Sequence, residues 1–433
     1  MFMWIYSFLF SIFLFLWTTT GTASFSPESY EKFLKGEYAA GVFLIAVVTL
    51  LVCRADRHGK VKQGLLIIGV LLNIGLSAYY QCAPPVRGDV SYWKLLKDSY
   101  LFEMLFMFLT FSVAFILVRY TRIYRTRVFN YLAMLIPVIC VFGARFFGTT
   151  GGSSLRFCAI MIFAEVLLCY CFAAAYFFSL SANRYVAGNP GMVSYNLIAF
   201  LLWVFLLYAG CIVDNEFGLI LVLLCCSTTL FFIKCRNRFS KFLYTVASAG
   251  GGLLAVTFVR HISDRVKIFL DPAGAYSNPD LKQQAESMLF LFRHWREIGW
   301  WANGPGHLSA QYFPNRTTDH LLIMLFDNGS VFLVIGVIFV GALLVRFMLT
   351  EPEGLSVYDK NLNLICGFLT GVIMILNIVS CTTITIGIPF PFVSKGASIN
   401  CVLLMSLVGI HTGLVCRQKG EEYDYADLEE EEF

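Results

Sequence analysis

Residues 321–345 read Leu321-Leu-Ile-Met-Leu-Phe-Asp327-Asn-Gly-Ser-Val331-Phe-Leu-Val-Ile-Gly-Val-Ile-Phe-Val-Gly-Ala-Leu-Leu-Val345, and Asp327 is the one charged side chain among them. A helix rises about 1.5 Å per residue, so such a run can cross the ~30 Å hydrocarbon core of a bilayer, which takes about 20 apolar residues. Runs of the same kind recur near 3–22, 38–53, 63–81, 100–118, 128–146, 156–180, 192–213, 217–233, 242–259, 362–386 and 397–415. They are continuous rather than alternating over ~10 residues, which favours helices over barrel strands. Composition agrees. Of 433 residues 58% are apolar, 16% aromatic and 14% charged, against about 25% charged in soluble domains. That is too little polar surface to coat a water-soluble globule. A soluble enzyme, a nucleic-acid-binding module and a disordered scaffold are excluded, and the chain reads as an all-α polytopic membrane protein.

Basic residues orient it. With the N-terminus in the cytoplasm and twelve spans, the inner segments hold 17 Lys and Arg, including Arg119, Arg122, Arg125, Arg127, Lys234, Arg238 and Lys241. The short outer segments hold 8, and the other 7 lie in one long outer loop, 260–320. That loop is about as long as the positive-inside rule covers. The 14 Cys are scattered along apolar runs with no CxxC pair and no Cys/His spacing for zinc, so they read as small apolar residues. Gly21-Thr22-Ala23-Ser24 resembles the small residues of a signal-cleavage site, but residues 1–22 lack a basic start and read as a retained helix. The acidic tail 417–433 reads as a solvated cytoplasmic end.

Loop 260–320 differs from everything around it. It carries seven basic and six acidic residues, four of the six His (His261, His294, His307 and His320), and the stretch Gly299-Trp-Trp-Ala-Asn-Gly-Pro-Gly306. Aromatics suit the headgroup level of a membrane, and basic groups there suit a phosphate or pyrophosphate headgroup. An ordinary solvated loop is the alternative. Asp319 stands out, in Phe313-Pro-Asn-Arg316-Thr317-Thr318-Asp319, just before the run that begins at Leu321. Thr318 or Asp319 suits a helix N-cap. A carboxylate at the membrane boundary also suits proton abstraction from a sugar hydroxyl. Asp327 follows eight residues later, which at about 100° each leaves it within about 80° of the same helix face, where an ionisable residue is a functional candidate. A second constellation is Gly387-Ile-Pro-Phe-Pro-Phe-Val-Ser394-Lys395-Gly-Ala-Ser398. Its prolines and glycines mark irregular backbone at membrane depth, tolerated where it is buried in protein or lines a cavity.

In this order, on these spans, the motifs resemble those of the SEDS family (shape, elongation, division and sporulation). Arg265-Val-Lys-Ile-Phe-Leu-Asp271-Pro272-Ala-Gly274-Ala-Tyr276 resembles the family's R-[IV]-x-x-F-L-D-P and G-x-[GA]-Y. Gln283-Gln-Ala-Glu286-Ser287 is similar to its Q-x-x-Q-S, Gly304-Pro-Gly306 to its G-x-G, and 313–319 to its L-P-E-x-H-T-D. Gly387 to Ser398 follows G-[IV]-P-[LF]-P-F-[IV]-S-Y-G-G-S, preceded by Asn377-Ile378, and Gly143-Ala144-Arg145-Phe146 resembles G-A-x-R-W. The sequence departs from the family at Gly152 to Leu155, where Q-P-S-E is expected, and at His320, Phe326-Asp327-Asn328, Lys395 and Ala397.

The resemblance implies a bundle of about ten core helices within 63–416, with loop 260–320 outside and residues 1–62 as an extra N-terminal hairpin. It also implies a peptidoglycan glycosyltransferase of the bacterial cytoplasmic membrane, which polymerises lipid II alongside a class B penicillin-binding protein and other divisome or elongasome membrane proteins, with no nucleic acid. Asp319 inherits the family's essential carboxylate and would be the general base. Arg265, Arg316 and Arg145 would offset pyrophosphate charge, and Thr318, Asp327, Ser394 and Lys395 would line the substrate cavity. No cofactor is required; a divalent cation is compatible, although no ligand set demands one. The rival readings are a transporter of lipid-linked precursors, an O-antigen ligase or polymerase using Arg293 and His294, and a silent scaffold. A repeat-built transporter should show internal symmetry, and none is visible.

Overall fold

The computed structural model describes residues 39–47, 60–82, 100–147, 163–180, 195–213, 217–235, 237–258, 260–279, 321–328, 331–351, 354–382, 390–394 and 397–416, with a few single positions besides. Regular structure among them is helical, apart from a two-residue antiparallel ladder that pairs Arg156 with Met161 and Phe157 with Ile160. The protein is an all-helical polytopic membrane protein. Five described helices are long and apolar enough to cross a bilayer: α2 (Tyr100–Tyr120), α3 (Arg127–Phe147), α5 (Tyr195–Val213), α11 (Val331–Leu349) and α12 (Val357–Thr382). Between them come α1 (Lys60–Cys82), α4 (Phe163–Ser179), α6 (Phe217–Lys234), α7 (Arg238–Phe258), α8 (Arg260–Leu270), α9 (Pro272–Tyr276) and α10 (Leu321–Asn328). A π-helical segment, Ala397–Leu404, leads into α13 (Met405–Val415).

The apolar runs become helices because no water competes for backbone groups in lipid, so each segment must satisfy its own. Along α2, Phe102, Leu105, Phe106, Leu109, Val113 and Ile116 form an exposed stripe at helical spacing, while Met104, Met107, Ala114 and Val118 are buried. The exposed face suits lipid tails.

The chain forms two compact units. The first comprises Met1–Phe106, Phe242–Leu344 and Ile373–Asn400; the second comprises Met107–Lys241, Val345–Val372 and Cys401–Phe433. In the second, α3 packs on α4 and α5, and α5 on α4 and α6. An aromatic core of Tyr170, Phe200 and Trp203 fills that packing, with the Tyr170 and Trp203 rings stacked at 6.0 Å. Small residues let α13 approach α2 closely: a Cβ at Gly409 would lie 2.6 Å from the Phe111 carbonyl oxygen. In the first unit, α1 packs against α10 and α8 against α9.

Two expected spans differ in detail. The run 321–345 is two helices, α10 ending at Asn328 and α11 beginning at Val331. The run 156–180 is helical only from Phe163, since Arg156, Phe157, Ile160 and Met161 pair in the short ladder instead. Glu165 then falls in the first turn of α4, where a carboxylate complements the helix dipole. The hairpin expected at 1–62 and the tail 417–433 lie mostly or wholly outside the described residues.

Candidate functional site

The irregular stretch 388–394 is the part of the expected site that the described residues define best. Ile388, Phe390, Phe392, Val393 and Ser394 are all at most 2% exposed. Non-helical backbone this deep must have every polar group answered. Proline at 391 has no N–H to satisfy, and the N–H groups of 390, 392, 393 and 394 are each met. The Phe390 N–H donates to Ser394 Oγ at 2.9 Å, and the Val393 and Ser394 N–H groups both donate to the Phe390 carbonyl. The Phe392 N–H donates to Asn400 Oδ1 at 3.1 Å, while Asn400 Nδ2 donates to the Ser394 carbonyl. Asn377 Nδ2 donates to the Ile388 carbonyl. Tyr100 Oη donates to the Phe392 carbonyl at 2.9 Å.

Phe392 adopts φ 59°, and it alone among the described non-glycine residues has a positive φ. That conformation costs about 1–3 kcal/mol and persists only where the surroundings over-determine it. Here the Asn400 and Tyr100 side chains and a neighbouring helix do so. α1 passes so close that a Cβ on Gly75 would lie 2.5 Å from Tyr100 Oη and 2.6 and 2.8 Å from the Val393 and Phe392 carbonyl oxygens. On another side, a Cβ on Gly341 of α11 would lie 2.7 Å from Met374 Sδ and 3.1 Å from the Phe390 ring.

Asp327 lies on α10 and is fully buried, as are Leu321 to Leu325 before it. It makes polar contacts and is not an isolated charge. α10 begins two residues after Asp319 and packs on α1, the helix whose Gly75 meets the loop. One helix thus contacts both regions that the sequence singled out.

Among the expected site residues, Asp327 and Ser394 belong to this first unit and are buried. Arg265 lies on α8 in the same unit, and Arg145 on α3 in the second; the described structure places their backbones only. Asp319, Thr318, Arg316 and Lys395 lie outside the described residues, as do Arg293 and His294. The Arg265–Tyr276 motif has a local explanation. Asp271 caps α9, its Oδ1 accepting from the Gly274 N–H at 2.9 Å, with Pro272 in the first turn. Ile268, Ala275, Leu281 and Ala285 form a small core against which Tyr276 packs, with Lys282 over the Tyr276 ring at 5.3 Å.

Sequence reasoning overlooked Gly75, Tyr100 and Asn400. Asn400 had a readable signal, an amide within an apolar run. Gly75 and Tyr100 had none, being ordinary residues of membrane helices.

No family model matches the chain, and no curated protein does either. Solved structures do. The chain is similar to one from a peptidoglycan synthase complex that coordinates polymerisation and crosslinking, with a TM-score of 0.60 at 14% identity, covering 83% of this chain and 98% of that one. The fold is shared. At that identity the likeness concerns architecture alone.

Proposed function

We propose that the protein is a glycosyltransferase that extends peptidoglycan glycan strands from lipid II at the outer face of the bacterial cytoplasmic membrane, working with a class B penicillin-binding protein. The observation that carries this reading is the fold shared with a chain of a peptidoglycan synthase complex over 83% of the sequence. The ordered motifs of 265–398 support it.

In this reading a sugar hydroxyl of one lipid-linked unit attacks the anomeric carbon of another. The Asp319 carboxylate takes the hydroxyl proton, the new glycosidic C–O bond forms, and the C–O bond to phosphate breaks as lipid pyrophosphate leaves. Attack opposite the leaving group inverts the anomeric centre with one carboxylate and no sugar–enzyme intermediate. Arg265 and Arg316 offset charge on the departing pyrophosphate, with Arg145 as a further cationic candidate. Asp327, Ser394 and Lys395 shape the cavity.

The test is polymer formation from purified lipid II in detergent, with and without a penicillin-binding protein. Asp319→Asn should lower the rate by about 10²–10⁴-fold, the usual weight of a general base, while keeping its fold. Polymer from Asp319→Asn at the wild-type rate removes Asp319 as base. No polymer from wild type under any condition, with lipid II crossing vesicle membranes instead, replaces the enzyme by a transporter.

A further inference from the structure

The contacts of α1 and α2 with the loop 390–393 go beyond packing. Phe392 holds a left-handed backbone conformation that a bulky residue adopts only under constraint. Its N–H is fixed by Asn400 and its carbonyl by the Tyr100 hydroxyl, so the peptide groups on both sides of the strained residue are pinned. Gly75 lets α1 lie directly on the pinned Phe392 carbonyl, on the neighbouring Val393 carbonyl and on the hydroxyl that holds the first. Tyr100 is itself fully buried, its ring stacked on Tyr79 of α1 at 5.8 Å. The clamp therefore joins α1, α2 and the loop at one point. The same α1 packs on α10, which starts two residues after Asp319, and the loop ends two residues before Lys395.

We propose that Gly75 and Tyr100 are positioning residues, a clamp that holds the 390–393 backbone in its strained form and thereby supports glycan transfer. The role in transfer rests on the glycosyltransferase reading above; the clamp on the loop does not.

Three variants of the full-length protein test it, Tyr100→Phe, Gly75→Ala and the pair combined, with two separate readouts. The first is amide hydrogen exchange by mass spectrometry, which needs no activity. Tyr100→Phe keeps the ring and removes one hydrogen bond, so peptides covering 388–394 should exchange about tenfold faster, as expected for loss of one hydrogen bond of ordinary strength. Peptides from α4 should be unchanged. The second is lipid II polymerisation. Tyr100→Phe should lower kcat about tenfold with KM within about twofold, because the loop geometry changes while the lipid-binding groups remain. Gly75→Ala should lower kcat further, since two carbonyl oxygens must move. Because the inserted Cβ already displaces the Tyr100 hydroxyl, the double variant should fall short of the product of the single effects.

Unchanged exchange at 388–394 in Tyr100→Phe overturns the clamp. Faster exchange with wild-type kcat overturns the positioning role. Faster exchange in α4 as well as in the loop also overturns it, by reducing both residues to general stability. Faster loop exchange in a protein whose wild type forms no polymer keeps the clamp and removes the glycosyltransferase reading.

Discussion

Asp359 is fully buried near the start of α12, and its charge is answered on every side. Arg125 forms an ion pair with it, and the Tyr124 hydroxyl donates to it at 3.0 Å. The Tyr358 hydroxyl donates to Asn130 Oδ1 at 2.9 Å, and Asn130 Nδ2 donates to the Tyr124 carbonyl at 3.1 Å. All these residues belong to the second unit, and the network ties segment 124–130 to α12. A buried pair of this kind adds little over apolar packing, but breaking it strands a charge and costs about 3–5 kcal/mol. Asp359→Ala should therefore unfold at markedly lower denaturant, read by chemical unfolding in detergent, whereas truncating the exposed Glu351, paired with Lys360 at the surface, should change stability little. Equal midpoints for the two variants would show the network to be dispensable.

Among the elements, α8 and α9 show a signature-like motif with a structural role of its own. Aspartate, proline and glycine at 271, 272 and 274 read as a family signature. They are also a helix start: a capping carboxylate, a residue with φ preset for the first turn, and a third position where a Cβ would collide with the cap. Asp271→Ala should cost about 0.5–2 kcal/mol, the usual worth of a cap, seen as faster exchange of the Gly274 amide with α3 unaffected. Polymerisation unchanged beside that loss would assign the motif to folding of the loop alone.

At the scale of the molecule, the charge pattern sets the orientation. Segments 119–127 and 234–241 should face the cytoplasm, with loop 260–320 outside. An alkaline phosphatase fused after Gly306 should be active and one fused after Arg238 inactive, because that enzyme folds only outside the cytoplasm; the reverse pattern would invert the topology. The all-helical class, the length of most described spans and the irregular backbone near 388–394 were legible because hydropathy, helical period and turn chemistry act over a few residues. The ladder at 156–161 was not, since its pairing competes with a helix of similar local propensity.

Membrane class and the order of the motifs follow from the sequence by itself, because the bilayer reads apolar length directly along the chain. The tertiary structure alone decided that Tyr100, 292 residues away in sequence, donates to the Phe392 carbonyl, that Asn377 and Asn400 close on the same loop, and that Gly75 admits α1 against it. Such convergence depends on which helices pack together, and packing is settled by shape and hydrogen-bond satisfaction over the whole unit rather than by any local pattern.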